Sequence, residues 1–305
     1  MDLQTLTENF AIFGVLSFNE SEAGLLRARI TTPACTAELY LQGAHLTAWQ
    51  PAGHGPVLFL SEQSNFLACT AIRGGIPIIF PWFGPRSGSI DNPRTDGPSH
   101  GFARLEPWSV AFAALSGDVL HLTLTLSPTQ SSRELGFDHF QVALELIFGE
   151  ILIMRLTVLN EANDPLRFEE AFHTYFTVGD AAQIRLTGLG ASEYLDKTDQ
   201  LLPKVQSEAV LTLSSETDRL YVNTTSEVAI EDPTLRRRIT VTKQGSNTTV
   251  IWNPWAEVSA RLVDMADEGW RRMTCIETAN AGENAIALAP RSAHTMEARI
   301  SVAPL

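Results

Sequence analysis

Cysteine is scarce in this chain: three residues in 305, Cys35, Cys69 and Cys275. The count is odd and no two stand at CxxC spacing. This argues against a disulfide framework and a structural zinc site, and favours a reducing, cytoplasmic setting. Basic residues are also few, with 22 Lys and Arg against 35 Asp and Glu, a net charge of −13. Nucleic acid and anionic membrane both need a basic footprint, so neither is an expected partner. A small anion remains admissible, because a few arginines can set the potential of a pocket whatever the total charge. No apolar run approaches the length of a bilayer crossing. The opening MDLQTLTENFAIFG lacks both the basic start and the apolar stretch of a secretory signal. The phosphate-binding loop of nucleotide enzymes, the GxSxG elbow and the HxH, HxxxH and HExxH zinc spacings are all missing from the sequence.

What is present is apolar material in alternating runs. Hydrophobic residues make up 44% of the chain and charged residues 19%, a globular balance. Residues 121–127 (HLTLTLS), 141–148 (QVALELIF), 151–159 (ILIMRLTVL), 238–242 (RITVT) and 296–302 (MEARISV) repeat with period two. Only Gly149 and Glu150 separate the second and third runs, which predicts a hairpin with a type II′ turn. Helix candidates are short, at 2–9, 131–135 and 216–220. The pattern predicts an all-β, antiparallel sandwich or barrel. With no linker, charge block or repeat, residues 1–305 read as a single domain.

Two segments break the alternation. Residues 71–86 (AIRGGIPIIFPWFGPR) set glycines and prolines among bulky apolar residues, and 91–104 (DNPRTDGPSHGFAR) form a polar, turn-rich loop suited to a site wall. Arg73, Arg86 and Arg104 lie in or beside these segments, and a guanidinium fork matches phosphate oxygens; structural ion pairing is the rival reading. His173 stands among Phe172, Tyr175 and Phe176, where an imidazole can serve as proton donor, although a lone histidine is more often a hydrogen-bonded core residue. Glu277 follows apolar Cys275 and Ile276, so it is costly unless paired, with Arg272 for example, or functional. Cys69 and Cys275 read as inert packing. The WNPW run at 252–255 reads first as packing, with a sugar-lining role as the alternative. Adjacent Glu169 and Glu170 are poorly arranged as a glycosidase pair, because neighbours on a strand point to opposite faces.

Eight segments in order resemble the glucose-6-phosphate 1-epimerase (hexose-6-phosphate mutarotase) family of the aldose 1-epimerase superfamily. They are GAHLTAWQP (43–51), IRGGIPIIFPWFGPR (72–86), HGFAR (100–104), FHTYFTVGD (172–180), LGASEYLDK (189–197), TDRLY (217–221), WNPW (252–255) and CIETAN (275–280). The resemblance implies a single β-supersandwich domain with few short helices. It implies His173 as catalytic acid, Glu277 as catalytic base, Arg73 and Arg104 as phosphate contacts, Asp196 as a sugar contact and His100 as a wall residue. Ser99 stands where some members carry Gln, and Val258 where some carry Lys; both bear on substrate recognition. The implied protein is a monomeric isomerase of a hexose 6-phosphate that needs neither cofactor nor metal. Its acid and base would lie on opposite sides of the sugar ring, about a ring apart. The alternatives are a mutarotase of an unphosphorylated aldose and a non-catalytic sugar-phosphate binder on the same scaffold.

Overall fold

Alternating runs become paired strands in the computed structural model, which describes residues 1–87 and 94–305. A nine-stranded antiparallel sheet runs, in spatial order, Val210–Leu211, Arg185–Thr187, Val228–Asp232, Arg237–Gln244, Ala293–Pro304, Leu152–Asn160, Phe140–Phe148, Val119–Leu126 and Ser109–Ser116. An eight-stranded sheet runs Leu202–Val205, Glu193–Asp196, Thr217–Tyr221, Thr248–Asn253, Met273–Asn280, Glu170–Phe172 and Ile78–Ile79, with Tyr175–Thr177 also paired to Met273–Asn280. A four-stranded meander from Leu16–Glu20 to His45–Pro51 precedes both.

The period-two pattern explains the layering. Val142, Leu144, Leu146, Met154, Leu156 and Val158 are fully buried, while Arg155 on the other face of the same sheet pairs with Glu145 and Glu297. The buried rows join Phe172, Phe176, Ile251 and Ile276 of the eight-stranded sheet in one core that reaches from Leu6 to Ile300. The opposite face of the eight-stranded sheet is floored by smaller residues, among them Ala171, Val250 and Ala279. This second face carries the candidate site.

Three local readings need correction. The predicted hairpin is present, but Phe148 pairs with Leu152, so its loop has three residues, and Gly149 does not take the positive φ of a type II′ turn. Both Phe148 and Leu152 must point into the core, and a two-residue loop would pair Phe148 with an outward residue. The helix expected at 216–220 is instead the strand Thr217–Tyr221, held between Glu193–Asp196 and Thr248–Asn253. Pairing on both edges outweighs local propensity there. A helix not anticipated, Trp255–Ser259, follows the WNP turn. The helices Leu3–Phe10 and Gln130–Glu134 stand near their expected places, capped by Asp2 and Thr129. Residues 91–93 of the expected loop lie outside the described residues. Among the described residues no helix is long and apolar enough to cross a membrane, and all three cysteines are free.

Candidate active site

Strand register assembles the site. Met273–Asn280 pairs with Glu170–Phe172 through Phe172↔Thr278, and with Tyr175–Thr177 through Tyr175↔Cys275. Continued across the gap, this register sets His173 opposite Glu277. The backbone ladder opens at that point, and the His173 N–H donates to the Pro77 carbonyl at 3.1 Å. The side chains project from the same face and bring Nε2 to 3.4 Å from Glu277 Oε1. His173 is 8% exposed and Glu277 1%. The imidazole stacks on Tyr175 at 4.7 Å and meets His100 and Trp252 edge-on at 5.5 and 6.0 Å. His173 Nδ1 and Glu277 Oε2 are buried without a hydrogen-bond partner among the described residues. Arg272, offered as a partner for Glu277, is exposed.

The same register sorts the acids around the pair. Leu195↔Leu220, Leu220↔Val250 and Val250↔Glu277 share one face, and Asp218, Trp252 and Cys275 lie on it as well. Asp196 faces the other way. Its carboxylate accepts from Lys204 Nζ at 2.8 Å and from Thr198 Oγ1 at 2.6 Å, so the structure does not bring it to the His173–Glu277 pair. On the face of Glu277 stand its sequence neighbour Lys197 and Asp218, an ion pair at 3.3 Å, with the ammonium over the Phe83 ring at 4.6 Å. Both belong to segments singled out in the sequence. What sequence reading missed was the parity of the strand, which one correct cross-strand pairing would have supplied.

Arg73 is held by the Gly74-Gly75 turn. A Cβ on Gly75 would lie 2.4 Å from the Leu46 carbonyl and 2.9 Å from His45 Nε2, and φ there is +63°. His45 donates to the Gly74 carbonyl at 2.7 Å, and burial pushes its pKa down to about 4, which keeps it neutral in that role. Gly75→Ala is expected to cost about 1–3 kcal/mol of stability through backbone strain, and more if the contacts cannot relax; chemical denaturation measures it, and an unchanged midpoint would refute the tight packing. Arg73 grips Asp264 with Nε and Nη2, both at 3.1 Å, and donates from Nη1 to Tyr175 Oη at 3.0 Å. Among the described residues Arg104 spends only Nη2, on the Ser99 carbonyl at 2.8 Å, and its Nε is buried without a partner. Ser99 therefore enters through its backbone. Arg86 lies over Trp82 at 4.6 Å and bonds the carbonyls of Asp96 and Leu135, an architectural role.

Burial dominates the titration of these groups. It pushes His173 well below its usual range, helped by His100, Arg104 and Arg73, and lifts Glu277 well above the carboxylate range, with Asp218 adding to the rise and Lys197 opposing it. Both shifts favour the neutral imidazole and the protonated carboxyl in the free protein, with one proton between them. His100 is pushed down to about 3 by burial and by Arg104, Lys197 and Arg73. Its Nδ1 accepts from the Gly84 N–H at 3.2 Å, so its proton sits on Nε2.

Trp252 lines the site beside His173 and Tyr175, whereas Trp255 packs on Trp270 at 4.1 Å, so the WNPW run divides between the two readings. Glu169 and Glu170 do diverge: Glu169 accepts from the N–H groups of Phe83 and Gly282, and buried Glu170 takes Asn280 and His294. His173, Cys275 and Glu277 bring a nitrogen, a sulfur and an oxygen within 4.8 Å of one another. That donor set could hold a zinc-like cation, and no sequence spacing announces it, because His173 lies between two strands while Cys275 and Glu277 stand on a third. Burial and Glu277 hold the Cys275 thiol protonated, which opposes such a role.

A buried histidine–carboxylate pair on one face of a β-sandwich, walled by aromatic rings, is an arrangement suited to proton transfer. The chain belongs to the aldose 1-epimerase family, whose match covers residues 27–301. It is 34% identical over 262 residues to an Escherichia coli K12 protein named "Putative glucose-6-phosphate 1-epimerase", covering 86% of this chain and 85% of that one. A Cenchrus ciliaris protein of the same name is 31% identical over 84% of this chain and 78% of its own length. The crystal structure of a Salmonella typhimurium protein described as a "putative mutarotase" superposes with a TM-score of 0.89 at 30% identity, covering 97% and 96% of the two chains.

Proposed function

We propose that this protein interconverts the α and β anomers of a hexose 6-phosphate, glucose 6-phosphate foremost, through acid–base chemistry at His173 and Glu277. The observation that carries this reading is the buried pair itself, 3.4 Å apart with the guanidiniums of Arg73 and Arg104 near enough to depress the imidazole. The names of the relatives supply the phosphorylated hexose.

The pair is too close for a pyranose ring to lie between its members, which corrects the expectation of groups a ring apart. Opening the ring needs a proton delivered to the ring oxygen and one removed from the anomeric hydroxyl. Both oxygens are bonded to C1, so one edge of the sugar can meet both side chains at once. His173, protonated, donates to the ring oxygen as Glu277, ionised, takes the hydroxyl proton. The C1–O5 bond breaks and the aldehyde forms. Rotation about C1–C2 presents the other face, and the two protons return on closure. The proton count of the pair and the oxidation state of the sugar are unchanged, so the chemistry calls for no cofactor.

The free protein favours the opposite tautomer, and the substrate offers the remedy. A dianionic phosphate on Arg73 and Arg104 cancels two of the charges that depress His173, which favours the ion pair needed for ring opening. Binding energy from the remote phosphate is thereby used at the reacting carbon. Positioned proton transfer contributes about 10²–10⁴-fold per group.

Anomer exchange of glucose 6-phosphate, followed by NMR or polarimetry at neutral pH, tests the reading. A rate no greater than in buffer would overturn it, and saturable binding without turnover would indicate a binder instead. The core running from Leu6 to Ile300 supports 1–305 as one domain. We read the protein as cytoplasmic and monomeric, the latter open to test by sedimentation.

A further inference from the structure

A second basic cleft is lined by neither His173 nor Glu277. It encloses about 470 Å³ and is lined by Arg236, Arg237, Arg272 and Thr177, with Pro56 and Leu235 among its apolar edges. Three guanidiniums gather there in a chain of net charge −13.

Buried Asp232 offsets part of the Arg237 charge, whereas Arg236 and Arg272 have no ion pair among the described residues. Arg237 is 5% exposed; Nη1 and Nη2 donate to the carbonyls of Gly55, Pro56 and Thr177, and Nε has no partner among the described residues. Carbonyls satisfy its geometry, and burial lowers its pKa while the Asp232 charge opposes that fall. The acid opposite it across the hairpin, Asp232, spends its carboxylate on the N–H groups of Gly179, Thr234 and Leu235. Arg236 occupies the left-handed turn position at φ +52°, a place that glycine or asparagine fills without strain. Its side chain is exposed and makes no ion pair among the described residues. Arg272 is likewise exposed and unpaired among the described residues, its backbone fixed where its carbonyl accepts from the Val178 N–H at 2.9 Å.

We propose that this cleft is a binding site for a small organic phosphate, distinct from the acid–base site. One carboxylate satisfies one guanidinium fork, whereas a phosphate dianion offers three oxygens and two charges to several. The Thr177 hydroxyl is a further donor, and Pro56 with Leu235 can cover the uncharged body of the ligand. The volume is that of a small-molecule site. The proposal does not depend on the roles given to His173 and Glu277, since neither Arg73 nor Arg104 lines the cleft.

The test titrates the full chain with inorganic pyrophosphate at low ionic strength and follows backbone amides by NMR. Saturable shifts are expected at Gly55, Thr177, Arg237 and Arg272, separate from any set around Arg104. The double variant Arg236→Gly, Arg272→Ala keeps the turn, because glycine suits that φ, and removes two exposed charges. It is expected to weaken the first set by about tenfold or more and to leave the Arg104 set unchanged. Absence of saturable shifts at the cleft in the parent protein, or equal affinity in the double variant, would overturn the site. Arg104→Ala, read in the same way, should affect only the second set, so failure at one site is distinguishable from failure at the other.

Discussion

Glu277→Gln is expected to slow anomer exchange of glucose 6-phosphate by about 10²–10⁴-fold, the worth of one positioned proton-transfer group, and at the same time to stabilise the fold. The carboxyl is 1% exposed, one of its oxygens has no partner among the described residues, and burial raises its pKa well above 4.5. The sign follows from linkage. A carboxyl whose folded pKa lies above its unfolded value is without cost to stability only where both states are protonated. As pH rises past 4.5 the unfolded chain releases the proton first, and stability falls until the folded carboxyl ionises too. Glutamine cannot ionise, so the variant's advantage should be absent at acid pH and grow towards neutrality. His173 runs the other way: its folded pKa lies below 6.5, so its burial costs stability as pH falls below that value. Melting temperatures of parent and variant across pH 4–8, with anomer exchange measured on the same samples, decide the matter. Retained activity would remove Glu277 from the mechanism, and a lower melting temperature at pH 7 would refute the destabilising buried carboxyl.

Arg104→Ala should divide the two sugar classes. A lost charge-assisted contact predicts a fall of about 10–100-fold in kcat/KM for glucose 6-phosphate, with glucose itself changed by no more than a few-fold. Arg104 is the sharper probe than Arg73, because three donor groups of Arg73 are already engaged by Asp264 and Tyr175, whereas Arg104 gives one to Ser99. The substitution should also raise the His173 pKa in the free protein, since Arg104 is among the charges that keep this imidazole neutral. Titration of the imidazole protons reads that shift directly. A merely structural role for Arg104 would penalise both sugars alike and leave the His173 titration in place.

Much of the site was legible in the chain. His173 stood out by its aromatic surroundings, Glu277 by its apolar approach, and Arg73 by the Gly-Gly turn that follows it. Each signal is local, because it reports what a side chain needs within a few residues. Asp196 shows where local reading ends. It belongs to the right segment, yet the strand turns it away from Glu277 and its carboxylate is taken by Lys204 and Thr198. Lys197, one position on, and Asp218 stand on the face of Glu277.

Sequence alone was enough for the all-β architecture and the strand runs, and it singled out His173 and Glu277 as candidates. Period-two alternation and turn chemistry are properties of neighbouring residues, and they survive folding. Only the tertiary structure decided that Phe172↔Thr278 and Tyr175↔Cys275 are in register, which sets His173 against Glu277 across 104 positions of chain. Only it reduced their separation to 3.4 Å, turned 216–220 from helix to strand, and gathered Arg236, Arg237 and Arg272 around one cleft. The physical reason is common to all of these. A one-residue change of register moves a side chain to the other face of a sheet at no local cost, so the choice is made by the packing of distant strands.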